Sequence, residues 1–155
     1  RRAVRTDVLY TLLHRLGVVP LLAFALITPV ADTLEAQLRL VGLSRVNVDQ
    51  VWPGVTDRPL ASFLIYLVVL DFADYWMHRA QHGLRWWWAL HAVHHSQRQM
   101  TFWTDDRNHL LDDLIRGALL ALLAIAIGVA PEQFVTLTVA SRIVQSVQHA
   151  NLRWR

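Results

Sequence analysis

The chain contains no cysteine and no lysine. Without thiols there can be no disulfide, zinc finger, iron–sulfur cluster or thiol nucleophile. Charge is also scarce: 17% of residues are charged and 54% are hydrophobic, where a soluble domain usually carries about 25% charge. The basic residues are all arginine, giving a formal net charge of +3 and a pI near 10.2. Such a balance can mark a nucleic-acid binder. Here the arginines are spread along the chain and flank apolar segments, so no nucleic-acid partner is expected. No internal repeat or low-complexity segment is visible. The apolar residues lie in blocks long enough to cross a bilayer, which predicts an all-α, multi-span membrane bundle.

The first block runs from Val8 to Ala31 (8–31) and is expected to be a membrane helix kinked at Pro20 and Pro29. A signal peptide is disfavoured because Pro29-Val30-Ala31-Asp32 is a poor cleavage site. Asp32 to Pro59 is polar and turn-rich. Leu60 to Met77 is the clearest span, about 27 Å at 1.5 Å per residue, within a helix over 60–82. Residues 83–113 form a histidine-rich segment in which Trp86, Trp87 and Trp88 suit a headgroup-level belt. Leu114 to Ala130 is a second span, stopped by Pro131-Glu132. Phe134 to Val147 returns, making 114–149 a hairpin. About four membrane-embedded helices and a cytosolic histidine-rich cap result, with residues 1–155 as one membrane domain. Arginine placement predicts the histidines on the cytoplasmic side, and a bacterial inner membrane is the expected location.

Five of the eight histidines fall within eighteen residues, as His78-x-x-x-His82 and His91-x-x-His94-His95. Helical spacing sets each group on one face, and neutral imidazole suits iron, zinc and copper. Two such faces brought together could hold two metal ions. The bland alternative is interfacial histidines packed among tryptophans. Extending the first face backwards gives Tyr75, Asp74 and Asp71. Carboxylates inside a span are costly, and metal-bound imidazoles usually donate their second nitrogen to a carboxylate. Asp74 and Asp71 are therefore candidates to orient the ligands, against the alternative that they bond a neighbouring helix. His149, in Gln148-His149-Ala150-Asn151, is expected at the same membrane depth. His109 is read as a positioning residue near Asp105, Asp106, Asp112 and Asp113, although a ligand role stays open. Asp112 and Asp113 also fit simple helix-N-terminal acids. His14 is read as structural.

The run Asp71-Phe72-Ala73-Asp74-Tyr75-Trp76-Met77-His78-Arg79, then His82, then His91-Ala92-Val93-His94-His95-Ser96, then His149-Ala150-Asn151 resembles the fatty acid hydroxylase / sterol desaturase superfamily, the integral-membrane non-haem di-iron oxygenases. The match runs from about Ser62 to the end of the chain, and Tyr-Trp-x-His-Arg-x-x-His joined to His-x-x-His-His is its specific part. Arg107-x-His109 is similar to a further element of the same families. The resemblance implies a four-helix membrane core with a cytosolic cap. It implies two irons, with His78, His82, His91, His94, His95 and His149 among their ligands and Asp74, Asp71, Asn151 and His109 around them. A last His-x-x-His-His box of the family is not found in the 155 residues. On that ground the chain is expected to be a fragment of a longer enzyme, inactive alone.

The activity so implied is O2-dependent hydroxylation or desaturation of a C–H bond in a lipid, whether sterol, fatty acyl or related. Electrons would come from a ferredoxin, a cytochrome b5-type protein or a reductase, and Arg79, Arg85 and Arg98 could dock an acidic donor. Zinc could substitute for iron. The rival readings are a haem-binding or metal-transporting membrane protein without oxygenase activity, and a structural membrane protein.

Overall fold

The computed structural model describes residues 18–43, 46–96 and 108–149. Five α-helices carry these residues: α1 (Val18–Leu40), α2 (Pro59–Gly83), α3 (Arg85–His95), α4 (Leu110–Ala126) and α5 (Pro131–His149). A 3₁₀ turn at Val48–Gln50 lies between α1 and α2, and no strand occurs among the described residues. The chain is thus all-helical. Residues 8–17 of the first expected helix lie outside the described residues, as do His14, Arg98, Asp105, Asp106, Arg107 and Asn151.

Two helices are long and apolar enough to cross a membrane: Leu21–Leu40 within α1, and Pro59–Gly83, which is the whole of α2. Only 6% of the first window and 17% of the second is buried inside the protein, whereas the core helix of a soluble domain hides most of its apolar side chains. Leu22, Leu26 and Val30 form an outward stripe on α1, and Leu60, Leu64, Val68, Phe72 and Trp76 form another on α2. The four-residue spacing of both stripes puts them on one helix face. Helix α4 has 17 residues and α5 has 19, the latter carrying Arg142 and Gln145. Two candidate spans, rather than four, meet the measure of length and hydropathy among the described residues.

Helix ends depart from the sequence expectation in informative ways. Helix α1 runs through Pro29 and past Ala31 to Leu40. The hydroxyls of Thr28 and Thr33 donate to the carbonyls of Phe24 and Pro29 at 2.7 and 2.8 Å. Beyond Asp32, Glu35 and Arg39 pair one turn apart at 2.5 Å. The polarity there belongs to an amphipathic helix end and not to a loop. Pro131 opens α5 instead of merely closing the preceding span, because the first helical position needs no backbone donor.

The core joins α1, α2, α4 and α5 around Phe24, Tyr66, Leu70, Ile125, Val129, Phe134 and Leu137. Phe24 stacks on Phe134 with ring centroids 4.5 Å apart. Helix α1 makes its most extensive contact with α4, where Gly117, Ala121 and Ala124 are buried. Small side chains let helix backbones approach closely, a packing mode favoured between membrane helices. At one end the 3₁₀ segment closes the bundle. Val48 N donates to Ile127 O, and the Tyr66 hydroxyl to Gly128 O, both at 3.4 Å. Asp49 accepts from the Ser62 hydroxyl. The histidines gather at the opposite end, where α2 finishes and α3 begins.

Candidate metal centre

Helix α2 ends at Gly83, and Leu84 takes an extended backbone (φ −94°, ψ 117°) that also caps α3. The break folds α3 back against α2. His78 and His82 come from the last turns of α2, and His91 and His95 from the last turns of α3. One nitrogen from each of these four rings lies within 4.8 Å of the other three. His82 Nε2 is 3.2 Å from His78 Nε2 and 3.1 Å from His95 Nε2. Two nitrogens bound to one metal at ~2.1 Å lie roughly 3.0–3.4 Å apart, so the spacing fits a shared ion. A single hydrogen bond can join two imidazoles. It does not account for four rings converging on one point.

His91 shows how the cluster is held. Its Nδ1 is 2.9 Å from Asp112 Oδ2, with both side chains buried. Asp112 Oδ1 accepts from Gln81 Nε2 at 2.6 Å and from Trp87 Nε1 at 2.7 Å. Asp112 precedes the apolar part of α4. Burial alone would favour its protonated form, but the hydrogen bonds from His91, Gln81 and Trp87 outweigh burial and hold its carboxyl below the usual carboxylate range. An ionised Asp112 fixes the proton of His91 on Nδ1 and leaves a lone pair on Nε2. That Nε2 is buried and has no hydrogen-bond partner. A buried, unsatisfied lone pair aligned with three neighbouring imidazoles is what a metal ligand looks like before its ion is counted. The donor set fits iron or zinc.

His94 follows a different course. Its ring is buried and stacks on His91 at 5.3 Å and 22°. It is not one of the four rings that share the 4.8 Å group, and it lines an adjoining cavity of about 280 Å³. Asp71, Asp74, Tyr75, His78 and Gln81, one face of α2, line the same cavity, together with Asp112, Asp113, Arg116 and Arg142. A smaller, more apolar pocket of about 50 Å³ adjoins it between α2, α4 and α5, with Leu70, Leu120 and Leu137 in its wall.

The residues matched by the fatty acid hydroxylase family model, 63–155, are more than half of the chain and include every histidine of this site. The chain belongs to the fatty acid hydroxylase family. It is also 28% identical over 149 residues to the ornithine lipid hydroxylase OlsE of Rhizobium tropici. That alignment takes in 96% of this chain and 43% of the relative's length. No solved structure matches the chain.

In this member of the family, the expected site residues are placed as follows. His78, His82, His91 and His95 are brought together, and His94 lies beside them on the cavity side. The backbone of His149 closes α5, while its side chain lies outside the described residues. Asp74 forms a two-pronged pair with Arg116, whose Nε donates at 2.5 Å and whose second nitrogen also bonds the carboxylate. Gln145 Nε2 adds a 2.7 Å hydrogen bond. Asp74 thus bonds neighbouring helices, the alternative weighed for it above. Asp71 is exposed and lines the cavity. His109 caps α4, its Nδ1 accepting from Leu111 N at 3.2 Å. The carboxylate that reaches an imidazole of the cluster is Asp112, held by Gln81 and Trp87; the sequence offered it only beside His109. The available signal was an acidic pair, Asp112-Asp113, just before an apolar run.

Proposed function

We propose that the protein is a membrane-bound, iron-dependent oxygenase that hydroxylates or desaturates a lipid at a non-haem di-iron centre. The observation that carries this is the convergence of His78, His82, His91 and His95 with the buried, unpartnered Nε2 of His91. These four residues would hold one ion, and His94 and His149 are the further ligands that the family resemblance implies. When bound, the iron supplies activation of O2 for attack on a C–H bond. The chain's own contribution is positional. Asp112 keeps His91 in one tautomer, and Gln81 and Trp87 keep Asp112 in place. The Asp74–Arg116–Gln145 network ties α2 to α4 and α5 directly beneath the histidines.

The outward apolar stripes of α1 and α2 suit contact with lipid, which supports integral insertion. The histidines stand where α2 ends, so a lipid could enter from the bilayer and an electron donor could approach from the aqueous side. The ornithine lipid named for the relative is the first substrate to test, ahead of sterols and free fatty acyl chains. Exposed Arg79 and Arg85 would face an acidic donor protein; Arg85→Glu should slow donor-supported turnover at low salt, and an unchanged rate would remove that docking site. The cluster sits at the end of a span and not at mid-membrane, which disfavours a transporter. His78 and His95 stand 6.3 Å apart by ring centroids, but His82 and His91 each lie within 5.0 Å of both, which leaves no slot for a porphyrin between them.

The deciding experiment is metal analysis with Mössbauer spectroscopy on the full chain expressed in membranes with iron. About two irons per chain, lost on His91→Ala, would support the di-iron reading. A Soret band, or no stoichiometric metal, would overturn it.

A further inference from the structure

We infer that Asp112, Trp87 and Trp86 form a one-electron relay from the histidine cluster to the surface, which gives the protein a second activity: reduction of peroxide at the expense of a small anionic reductant. The inference rests on the iron reading above and concerns the centre when no lipid C–H bond is in place.

The path is continuous. Asp112 Oδ2 is 2.9 Å from His91 Nδ1, and Asp112 Oδ1 accepts from Trp87 Nε1 at 2.7 Å. One carboxylate thus joins a ligand ring to a buried indole. Trp86 lies parallel to Trp87, with centroids 5.2 Å apart and planes 9° apart, and is 56% exposed. Neighbours on a helix point about 100° apart around the axis, so this stack is not a product of helix spacing. Exposed Arg85 precedes it, and the first turn of α3 carries no acid. Every step from buried His91 to water is therefore a hydrogen bond or a ring stack, with a cation at the outer end.

The chemistry favours Trp87 as the residue that gives up an electron. With no cysteine and two methionines, the chain's readily oxidised groups are chiefly its seven tryptophans. An indole that loses an electron becomes a cation, and a carboxylate bonded to its Nε1 in a buried, low-dielectric setting stabilises that charge. Trp88 stands 5.2 Å from His82 and 5.4 Å from His95, but it meets no carboxylate among the described residues. Hydrogen peroxide that oxidises the centre takes up two electrons and two protons and leaves as two waters. Trp87 returns the electrons one at a time, its own proton staying on Nε1 in the bond to Asp112. Trp86 re-reduces Trp87, and a reductant of the ascorbate type, drawn to Arg85, re-reduces Trp86. Each ascorbate monoanion supplies one electron and one proton, so two of them balance one peroxide.

The test uses the iron-loaded full chain in detergent micelles without lipid substrate, mixed with hydrogen peroxide. A tryptophan radical is sought by freeze-quench electron paramagnetic resonance. Oxidised side chains are mapped by peptide mass spectrometry, ascorbate oxidation is followed by absorbance, and iron content is measured in parallel. The parent protein should show the radical, oxidation concentrated at Trp86, and ascorbate consumed in step with peroxide; the metal-free chain should show none of these. Trp87→Phe should abolish the radical and spare Trp86. Trp86→Phe leaves every bond to Asp112 in place, so a folding defect cannot decide the outcome; it should keep the radical on Trp87 and lose most of the ascorbate oxidation. Oxidation concentrated at Trp88 would overturn the relay. So would Trp86 oxidised equally in Trp87→Phe, or undiminished ascorbate oxidation in Trp86→Phe. Any of these three results with iron bound leaves the oxygenase reading standing. A chain that binds no iron would sink the relay together with that reading.

Discussion

Asp112 is the residue on which the histidine cluster most depends, and its removal has a calculable cost. Three buried donors meet its carboxylate: Gln81 Nε2 at 2.6 Å, Trp87 Nε1 at 2.7 Å and His91 Nδ1 at 2.9 Å. Asp112→Ala leaves all three without an acceptor. Each stranded group costs about 1–3 kcal/mol, so the three together should cost roughly 3–9 kcal/mol, much of the ~5–15 kcal/mol available to a typical fold. Asp112→Asn is the gentler probe. It keeps one carbonyl oxygen, sets an amide NH2 against one of the donors, and removes the charge that fixes the His91 tautomer. Loss of such a ligand-orienting partner typically lowers metal affinity 10–100-fold. The assay is metal binding by chelator competition, with thermal unfolding by circular dichroism in the same detergent. Asp74→Asn is the control, because Asp74 bonds Arg116 and Gln145. It should lower the melting temperature with less than a tenfold change in metal affinity. If Asp112→Asn binds metal as tightly as the parent while Asp74→Asn does not, Asp74 serves the imidazoles and the wiring described here is wrong.

Arg116→Leu should destabilise the protein by about 3 kcal/mol, because it strands a largely buried carboxylate. Arg116→Leu with Asp74→Leu should recover most of that loss, and a double variant no better than the single would refute the pairing argument. Gly128 has φ +83°, and a Cβ there would stand 3.1 Å from Asn47 Cα and 3.2 Å from Val46 O. Gly128→Ala should therefore cost at least about 1–2 kcal/mol, read as a lower melting temperature, with metal affinity intact because the turn lies at the far end of the bundle. Trp88 packs against His82 at 5.2 Å and His95 at 5.4 Å. Trp88→Phe should remove the largest part of any tryptophan quenching produced by iron or copper; quenching of undiminished size would place the ion elsewhere.

The sequence made the histidine faces legible because their spacing is local. Four residues along a helix is one turn, so His78 with His82 and His91 with His95 share faces whatever the rest of the fold does. The same periodicity explains why Asp71, Asp74, Tyr75 and His78 line one cavity. The helical class and the strongest span were visible for the same reason, since both rest on runs of apolar residues. The end of α1 was not. Polar residues after Asp32 look like a loop in a membrane context, and only the Glu35–Arg39 pair shows that they continue a helix. His94 was grouped with His91 and His95 because a single helix cannot say where its partners stand. In the fold that ring stacks on His91 and lines the adjoining cavity, whose wall His78 and His91 share.

Asp112 marks the limit of reading by spacing. It lies far along the chain from His91, and its position at a helix N-terminus gives an acidic residue an ordinary explanation. Asp74, one turn before His78, looks the better partner by proximity alone. Yet a buried carboxylate is claimed by whichever donors reach it with the best geometry, and Arg116 offers Asp74 a planar fork that an imidazole cannot match. His91, on α3, takes its acceptor from α4. The pairing of Arg116 with Asp74 and that of His91 with Asp112 are thus two parts of one arrangement. Asp112 and Arg116, the α4 members of the two pairs, stand one turn apart near the start of that helix, just after its cap at His109. A change that rotates α4 by even a quarter turn would break both pairs at once, so α4, which contributes no histidine to the cluster, is the element whose packing decides whether the cluster forms.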